Sequence, residues 1–150
     1  MAAERFEHVY RREGLKMVRL AFLMVGSQQR AEEIAQDAFA QLLERWDRVE
    51  QPTAYLRTSV VNGCRSANRR RALERRTAGM GREPSAVGLG FDELTDALAA
   101  LPTRRRAALV LRYYGDYSEA EIASALGVRP GTVKSLLHRG LAQLREVIER

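Results

Sequence analysis

The stretch SEAEIASALGVRPGTVKSLLHRGLAQLR, residues 118–145, decides the fold of the C-terminal part of this chain. Ser118 and Glu121 have the spacing of a capping box, which predicts that a helix begins there. Gly127 can adopt the left-handed conformation that ends a helix. Pro130 favours the first turn of the next helix, because its missing N–H would have been unpaired there in any case. The stretch therefore predicts two helices joined by a tight turn.

The second of these helices has two chemically different faces. Its apolar stripe consists of Val133, Leu136, Leu137, Leu141 and Leu144. The opposite face carries Thr132, Lys134, Ser135, His138, Arg139 and Gln143. This pattern is typical of a helix-turn-helix whose second helix enters the major groove of DNA. The agreement of turn, caps and polar face favours DNA binding over the alternative, an ordinary helical hairpin with a solvated basic face.

The composition of the chain narrows the classes of protein to which it can belong. Its 150 residues carry a formal net charge of +6, which favours a polyanionic partner. A single cysteine, Cys64, excludes an internal disulfide and a cysteine cluster for a metal. The sequence shows no signal-peptide pattern and no apolar run near the roughly 20 residues that span a bilayer. We therefore expect a cytoplasmic protein without membrane insertion.

The second of three helices predicted in the N-terminal half has an acidic face. The first helix covers residues 4–25, and the second covers residues 29–46 with a broad apolar stripe. The polar face of the second helix carries Glu32, Glu33, Gln36, Asp37, Gln41 and Glu44. Such a face either lies in water or contacts a basic protein surface, and the residues alone favour water.

The third predicted helix changes from a packing element into a basic one along its length. Thr53 can cap it, and its packing face carries Tyr55, Leu56, Ser59, Val60 and Gly63. Its second half and the residues after it carry Arg65, Arg69, Arg70, Arg71, Arg75 and Arg76. These arginines are either a solvated helix end that complements the macrodipole or a set of phosphate contacts, and their density favours phosphates.

A glycine-rich segment divides the chain into two predicted domains. The segment TAGMGREPSAVGLG, residues 77–90, has no helical periodicity and is typical of a linker. After it we expect a short helix over 92–100, a helix over 102–114 ended by Gly115, and then the helix-turn-helix. We therefore predict an all-α fold with helical domains at 1–76 and 92–150 and a flexible linker at 77–91.

Three arginines stand where a helix disfavours positive charge. Arg104, Arg105 and Arg106 fall in the first turn of the helix predicted over 102–114, against the preference of the macrodipole for acids. This placement fits either an anionic neighbour or solvation by water.

Three motifs together resemble one protein family, the extracytoplasmic-function class of bacterial sigma-70 factors. AEEIAQDAFAQLLERW, residues 31–46, is similar to the family's core-binding helix, and AYLRTSVVNGCRSANRRR, residues 54–71, is similar to the helix that follows it. Residues 101–145 resemble the family's region four, which contains the sequence G-T-V-K-S. The resemblance covers nearly the whole chain except the linker, and its strength lies in the order and spacing of the motifs.

The resemblance implies a role for each polar surface. Glu32, Glu33, Gln36 and Asp37 would contact the clamp coiled coil of core RNA polymerase, which reverses the solvated interpretation of the acidic face. Asn62 would help to recognise the −10 element on the exposed strand, with Arg65, Arg69 and Arg70 on nearby phosphates. The residues facing the −35 element would be Thr132, Lys134, Ser135, His138 and Arg139. Many members of the family are also covered by an anti-sigma protein, which the resemblance adds as a further partner.

Two positions depart from the family pattern. Leu136 stands where the family often has arginine, so a contact with the DNA backbone is missing there or is supplied elsewhere. Tyr55 replaces a common tryptophan, and no aromatic cluster lies between Pro52 and Arg71. Since an aromatic side chain contributes about 1–3 kcal/mol per stacked base, we expect weak opening of DNA.

The main interpretation competes with two others. A free-standing regulator would be a dimer that binds palindromic half-sites, but the second arginine cluster in the N-terminal domain argues against it. An enzyme is disfavoured because His8 and His138 fall in different predicted domains and Cys64 has no evident base beside it. We therefore expect a promoter-specificity subunit that has no catalytic activity and that binds no cofactor or metal.

Overall fold

The computed structural model describes residues 4–78 and 93–149, and every regular element within these ranges is helical. The elements are α1 (Phe6–Val25), α2 (Gln28–Glu44), a 3-10 turn (Trp46–Arg48), α3 (Pro52–Ala78), α4 (Glu93–Ala99), α5 (Thr103–Leu109), a π turn (Val110–Tyr114), α6 (Glu119–Leu126) and α7 (Pro130–Glu149). The prediction of an all-α fold is confirmed.

The chain divides into two compact units, Met1–Arg70 and Arg71–Arg150. The division falls inside α3, six residues before the end of the first predicted domain at residue 76. The predicted linker at 77–91 lies mostly outside the described residues. The predicted domain boundaries therefore stay predictions.

The first unit is organised by the packing of α1 against α2. Gly26 takes the left-handed conformation (φ 77°) and ends α1, and the Ser27 hydroxyl accepts a hydrogen bond from the Arg30 N–H at 3.3 Å. Because these two caps are adjacent, α2 turns back immediately along α1. The core of the unit is apolar. Its fully buried side chains, each 0% exposed, include Val9, Ala21, Leu42, Leu56, Val60 and Val61.

The end of α2 differs from the prediction. The sequence predicts a helix to Trp46, whereas α2 ends at Glu44 and Trp46 opens a 3-10 turn. In this position the indole packs edge-on against the ring of Phe6, with ring centroids 5.7 Å apart, and Phe6 also meets Phe39 at 6.4 Å. The aromatic contact with α1 stabilises the turn in place of another helical turn.

Arg12, in the first half of α1, connects Glu4, which precedes that helix, to the start of α3. Its guanidinium pairs with Glu4 and with Glu13 (3.1 Å), and hydrogen bonds to these two carboxylates raise the pKa of Arg12. It also donates to the Thr53 hydroxyl at 3.2 Å. Thr53 was predicted to cap the third helix, but α3 begins one residue earlier, at Pro52, and the Thr53 hydroxyl accepts from α1 instead.

The second unit contains the predicted helix-turn-helix. The Ser118 hydroxyl accepts from the Glu121 N–H at 3.1 Å and the Glu121 carboxylate accepts from the Ser118 N–H at 3.0 Å, so the predicted capping box is present. Gly127 is left-handed (φ 67°) and α7 begins at Pro130, both as predicted. Leu111, Ile122 and Val133, which are all 0% exposed, form the centre of the core of this unit.

The helix predicted over residues 102–114 changes its hydrogen-bonding pattern before it ends. α5 is α-helical to Leu109, and the next residues form the π turn, which Gly115 closes by donating to the Val110 carbonyl at 2.9 Å. A β-carbon at Gly115 would lie 2.9 Å from the Leu111 carbonyl oxygen. The backbone conformation of Gly115 (φ −80°) is open to any residue, and the left-handed residue of this turn is Asp116 (φ 58°). Glycine is therefore required at position 115 by the close approach of the Leu111 carbonyl and not by its backbone angles.

Candidate nucleic-acid and protein interfaces

The polar face of α7 is exposed where the sequence predicts contact with the major groove. Five side chains on this face are exposed, namely Thr132, Lys134, Ser135, His138 and Arg139. The opposite side of the helix is fixed in the core by Val133, Leu137 and Gly140, which are buried. The helix thus presents hydrogen-bond donors and two cationic groups outward from a rigid support, which is the geometry that direct base readout requires.

Four side chains of α7 differ from their predicted environment. Leu141 and Leu144 were predicted to lie in the apolar stripe, but Leu141 is exposed and Leu144 is only half-buried. Leu136 was assigned to the apolar stripe but is only half-buried, so it lies at the border between the core and the polar face. Gln143 was assigned to the polar face, yet its side-chain oxygen accepts a hydrogen bond from Arg105 of α5 at 2.7 Å. Gln143 therefore faces α5, and the face available to DNA narrows towards the end of the helix.

The three arginines at the start of α5 have different environments. Arg104 is exposed, Arg105 is half-buried against Gln143, and Arg106 is buried with 9% of its surface exposed. The position of Arg105 in the first turn of α5 therefore needs no anionic neighbour, because Gln143 of α7 supplies an oxygen acceptor for its guanidinium.

The polar residues of α3 that were predicted to contact DNA lie along its exposed side. Asn62, Arg69 and Arg70 are exposed, and Arg65 is half-buried. The helix continues without interruption to Ala78, so these residues are held in one rigid register. Arg65 and Arg69 are four residues apart, about 6 Å along the helix axis, so they are neighbours on the helix surface.

The acidic face of α2 is exposed over its whole predicted extent. Glu32, Glu33, Gln36 and Asp37 are all exposed. Glu32 accepts a hydrogen bond from the Gln28 side chain at 3.0 Å and Glu33 accepts from Gln29 at 3.4 Å. Because the donors are neutral amides one turn earlier, these contacts leave the negative charge of both carboxylates in place for a basic partner.

A cleft of about 320 Å³ joins the acidic face of α2 to the predicted DNA-binding side of α3. From α2 it is lined by Ile34, Asp37, Ala38 and Gln41, and from α3 by Ser59, Asn62, Gly63, Ser66 and Arg70. The structure thus brings together one predicted polymerase contact, Asp37, and two predicted DNA contacts, Asn62 and Arg70. Glu32, Glu33 and Gln36 do not line this cleft.

The cleft exists because small residues of α3 let α2 approach closely. Ser59 and Gly63 were predicted to lie on the packing face, but they are half-buried and line the cleft. A β-carbon at Gly63 would lie 2.8 Å from Cγ2 of Ile34. Gln41, Ser59 and Ser66 line the cleft although none of them was predicted to be a site residue. The sequence signal for Gln41 is its position one turn after Asp37.

The described residues form neither a metal-binding cluster nor a membrane-spanning helix. Within 4–78 and 93–149, no group of three or more histidine, cysteine, aspartate or glutamate side chains could hold a metal ion. None of the helices in these ranges has both the length and the apolar character needed to cross a bilayer.

Comparison with known families assigns a class to this arrangement. The family described as sigma-70 region 2 matches residues 9–74, and the family described as sigma-70 region 4 matches residues 91–144. Region 2 contains the acidic face, the cleft and most of the arginine-bearing side of α3, and region 4 contains the helix-turn-helix. A region 2 unit followed by a region 4 unit defines the class of sigma-70 factors, which are transcription initiation factors.

Individual relatives narrow the class to one subfamily. The chain is 36% identical to the RNA polymerase sigma-E factor of Streptomyces coelicolor over 149 residues, covering 94% of this chain and 84% of the relative. It is 31% identical to the ECF RNA polymerase sigma factor SigL of Mycobacterium tuberculosis over 147 residues, covering 87% of this chain and 81% of that protein. The chain therefore belongs to the extracytoplasmic-function (ECF) subfamily of sigma-70 RNA polymerase sigma factors.

Solved structures show the same fold. The sigma factor RpoE of Bartonella quintana, in its complex with the anti-sigma factor NepR, matches with a TM-score of 0.74 at 23% identity, covering 95% of this chain and 98% of that one. CnrH, in complex with the cytosolic domain of CnrY, matches with a TM-score of 0.67 at 21% identity, covering 96% of this chain and 87% of that one. The family resemblance noted in the sequence is confirmed, and the chain directs promoter-specific transcription by RNA polymerase.

Proposed function

We propose that the chain binds core RNA polymerase through the acidic face of α2 and reads promoter DNA with two separate surfaces. Asn62, Arg65, Arg69 and Arg70 of α3 contact the −10 element, and the polar face of α7 contacts the −35 element. The observation that carries this proposal is the exposure of both surfaces on helices whose opposite sides are buried in separate units. A rigid helix with one exposed polar face can bind DNA or a protein without any unfolding of the helix.

The chemistry of each surface supports its proposed partner. The α2 face displays carboxylates that suit a basic protein surface, whereas phosphates would repel them. The arginines of α3 suit phosphates, and Lys134 and Arg139 of α7 suit guanine, whose N7 and O6 accept from cationic donors. We propose no catalytic role for the chain and place its action in the cytoplasm, with polymerase.

An anti-sigma protein is a further proposed partner. RpoE and CnrH were both solved with protein partners, and the RpoE partner is an anti-sigma factor. The same exposed faces of α2, α3 and α7 support this proposal. A protein that covered them would block the binding of polymerase and of DNA at the same time.

The proposal is tested by a pull-down with core RNA polymerase followed by run-off transcription. The purified chain should be retained by core polymerase and should direct initiation at promoters selected from a randomised pool. Failure to bind core, together with a shift of a palindromic duplex by a dimer, would instead identify a free-standing regulator.

Arg139→Ala should weaken recognition at one base pair of the −35 element. If the guanidinium contacts a base directly, the loss is about 1–3 kcal/mol at that pair and small elsewhere. The measurement is holoenzyme affinity for a selected promoter and for its single-base variants. A loss of equal size on every sequence would make Arg139 a phosphate contact.

Leu136→Arg should add one phosphate contact to α7. The half-buried position lets the arginine stem cover the border of the core while its guanidinium reaches solvent. We expect the slope of log affinity against log salt concentration to steepen by about 0.9. Leu136→Met, which keeps the apolar volume, should leave the slope unchanged, and an unaltered slope in the arginine variant would show that no phosphate lies within reach.

A further inference from the structure

α5 and α7 contact each other through one polar pair of side chains and through one glycine. Arg105 donates from Nη1 to the side-chain oxygen of Gln143 at 2.7 Å, and both residues are half-buried. One turn earlier on α7, Gly140 is buried, and a β-carbon there would lie 3.1 Å from Cδ1 of Leu109 and 3.5 Å from Cβ of Arg105. Arg105 therefore meets α7 at two successive positions.

The two positions constrain α7 in different ways. The absence of a β-carbon at Gly140 sets how near the helix axes come, because any larger residue would press on Leu109. The hydrogen bond between Arg105 and Gln143 is directional, so it fixes the rotation of α7 about its own axis more narrowly than apolar packing does. Together they define the position and angle of α7 on α5.

The constrained segment immediately follows the residues proposed to read DNA. Arg139 directly precedes Gly140, and Thr132 lies eight residues before it, at about 12 Å along the axis. A tilt of about 10° at Gly140 would therefore move Thr132 by about 2 Å, which is enough to break a hydrogen bond to a base edge.

We propose that Arg105, Gly140 and Gln143 are positioning residues for −35 recognition, which set the angle at which α7 enters the major groove. The inference rests on the proposed function of α7. The same role explains why Arg105 occupies the first turn of α5, where the helix macrodipole disfavours a cation. The hydrogen bond to Gln143 requires a long side chain with a donor at this position. None of the three residues touches DNA; each acts through the exposed face of α7.

The first test uses a substitution whose effects on stability and on recognition differ. Gly140→Ala adds helix propensity, but its β-carbon must displace Leu109 by a few tenths of an ångström or tilt α7. We expect the ratio of affinities for a selected −35 element and a scrambled one to fall about tenfold in reconstituted holoenzyme. The melting temperature should change little.

Gly14→Ala is the matched control for this substitution. Gly14 also lies inside a helix, but a β-carbon there meets nothing within 4 Å, so the variant gains helix propensity without crowding. It should leave the affinity ratio unchanged. An unchanged ratio in Gly140→Ala as well would overturn the positioning role of Gly140.

The second test separates positioning by Gln143 from direct contact with DNA. Gln143→Ala and Arg105→Ala should each lower the affinity ratio, and the double variant should lose no more than either one, because both remove the same hydrogen bond. Gln143→Glu keeps an acceptor for Arg105 and should preserve the ratio, even if its charge lowers affinity on all sequences equally. Arg104→Ala, which removes an exposed cation from the same turn, controls for charge.

The outcomes distinguish a failure of the positioning role from a failure of DNA recognition by α7. Additive losses in the double variant, or a ratio that collapses in Gln143→Glu, would overturn positioning and indicate that the two side chains contact DNA independently. If the unaltered chain failed to discriminate between −35 sequences at all, the proposed function of α7 would fail first.

Discussion

The double variant Glu33→Arg/Asp37→Arg should lose affinity for core RNA polymerase by about two orders of magnitude, equivalent to about 2.7 kcal/mol. The two carboxylates lie one helical turn apart on the exposed face of α2, so a single basic partner surface would meet both. Reversing their charges replaces attraction by repulsion at short range, and such juxtapositions cost several kcal/mol in protein interfaces. The helix itself should persist, because arginine is a good helix former.

The measurement for this variant is the equilibrium affinity for core polymerase at two salt concentrations. Glu7→Arg/Glu50→Arg is the matched control, since it makes the same change of charge at two exposed carboxylates that lie outside α2. It should alter affinity only slightly. Equal losses in the control and in the double variant would mean that net charge, and not the acidic face of α2, governs binding to core.

Ile122→Ala should lower the free energy of unfolding of the C-terminal unit by about 2–5 kcal/mol. Ile122 is 0% exposed at the centre of that unit, and its removal leaves a cavity lined by side chains that cannot fully collapse. A loss of this size is a large fraction of the 5–15 kcal/mol that typically holds a domain folded. We therefore expect −35 recognition to fail at temperatures where the unaltered chain still binds.

The same variant tests the predicted division into two domains. Binding to core through α2 should survive, because α2 belongs to the other compact unit. Hydrogen exchange would show early opening in α5–α7 with protection retained in α1 and α2. Leu94→Ala, at an apolar residue that is 46% exposed in the same unit, should cost far less. Parallel loss of protection in both units would contradict independent folding.

Much of the fold is predictable because helix ends depend on local chemistry. Ser118, Glu121 and Gly127 act on backbone groups within a few residues of themselves, so their spacing alone places the boundaries of α6. The exposure of the polar face of α7 also follows from periodicity, because its apolar residues need a core.

Features that depend on contacts between helices were not predictable in the same way. Predicting the α2–α3 cleft would require the knowledge that Gly63 packs against Ile34, and these two residues are far apart in the sequence. Gln143 looks like any polar residue on a basic face until Arg105 is found beside it. Thr53 has the chemistry of a cap, and only the tertiary position of Arg12 explains its other use.

The roles of individual side chains depend on partners, and so they stay predictions. Exposure shows that Lys134 and His138 are available to DNA. A base contact changes affinity at one base pair, whereas a phosphate contact changes the salt dependence on every sequence, so the measurements described above assign each side chain to one of the two.

The cleft between α2 and α3 has a thermodynamic consequence. Asp37 and Asn62 line the same cavity, one on the surface proposed for polymerase and the other on the surface proposed for DNA. A partner group that shifts α2 against α3 therefore changes the environment of both side chains. Because linkage is reciprocal, we expect core polymerase and the −10 strand to bind this unit as coupled ligands, each altering the affinity for the other by the same factor.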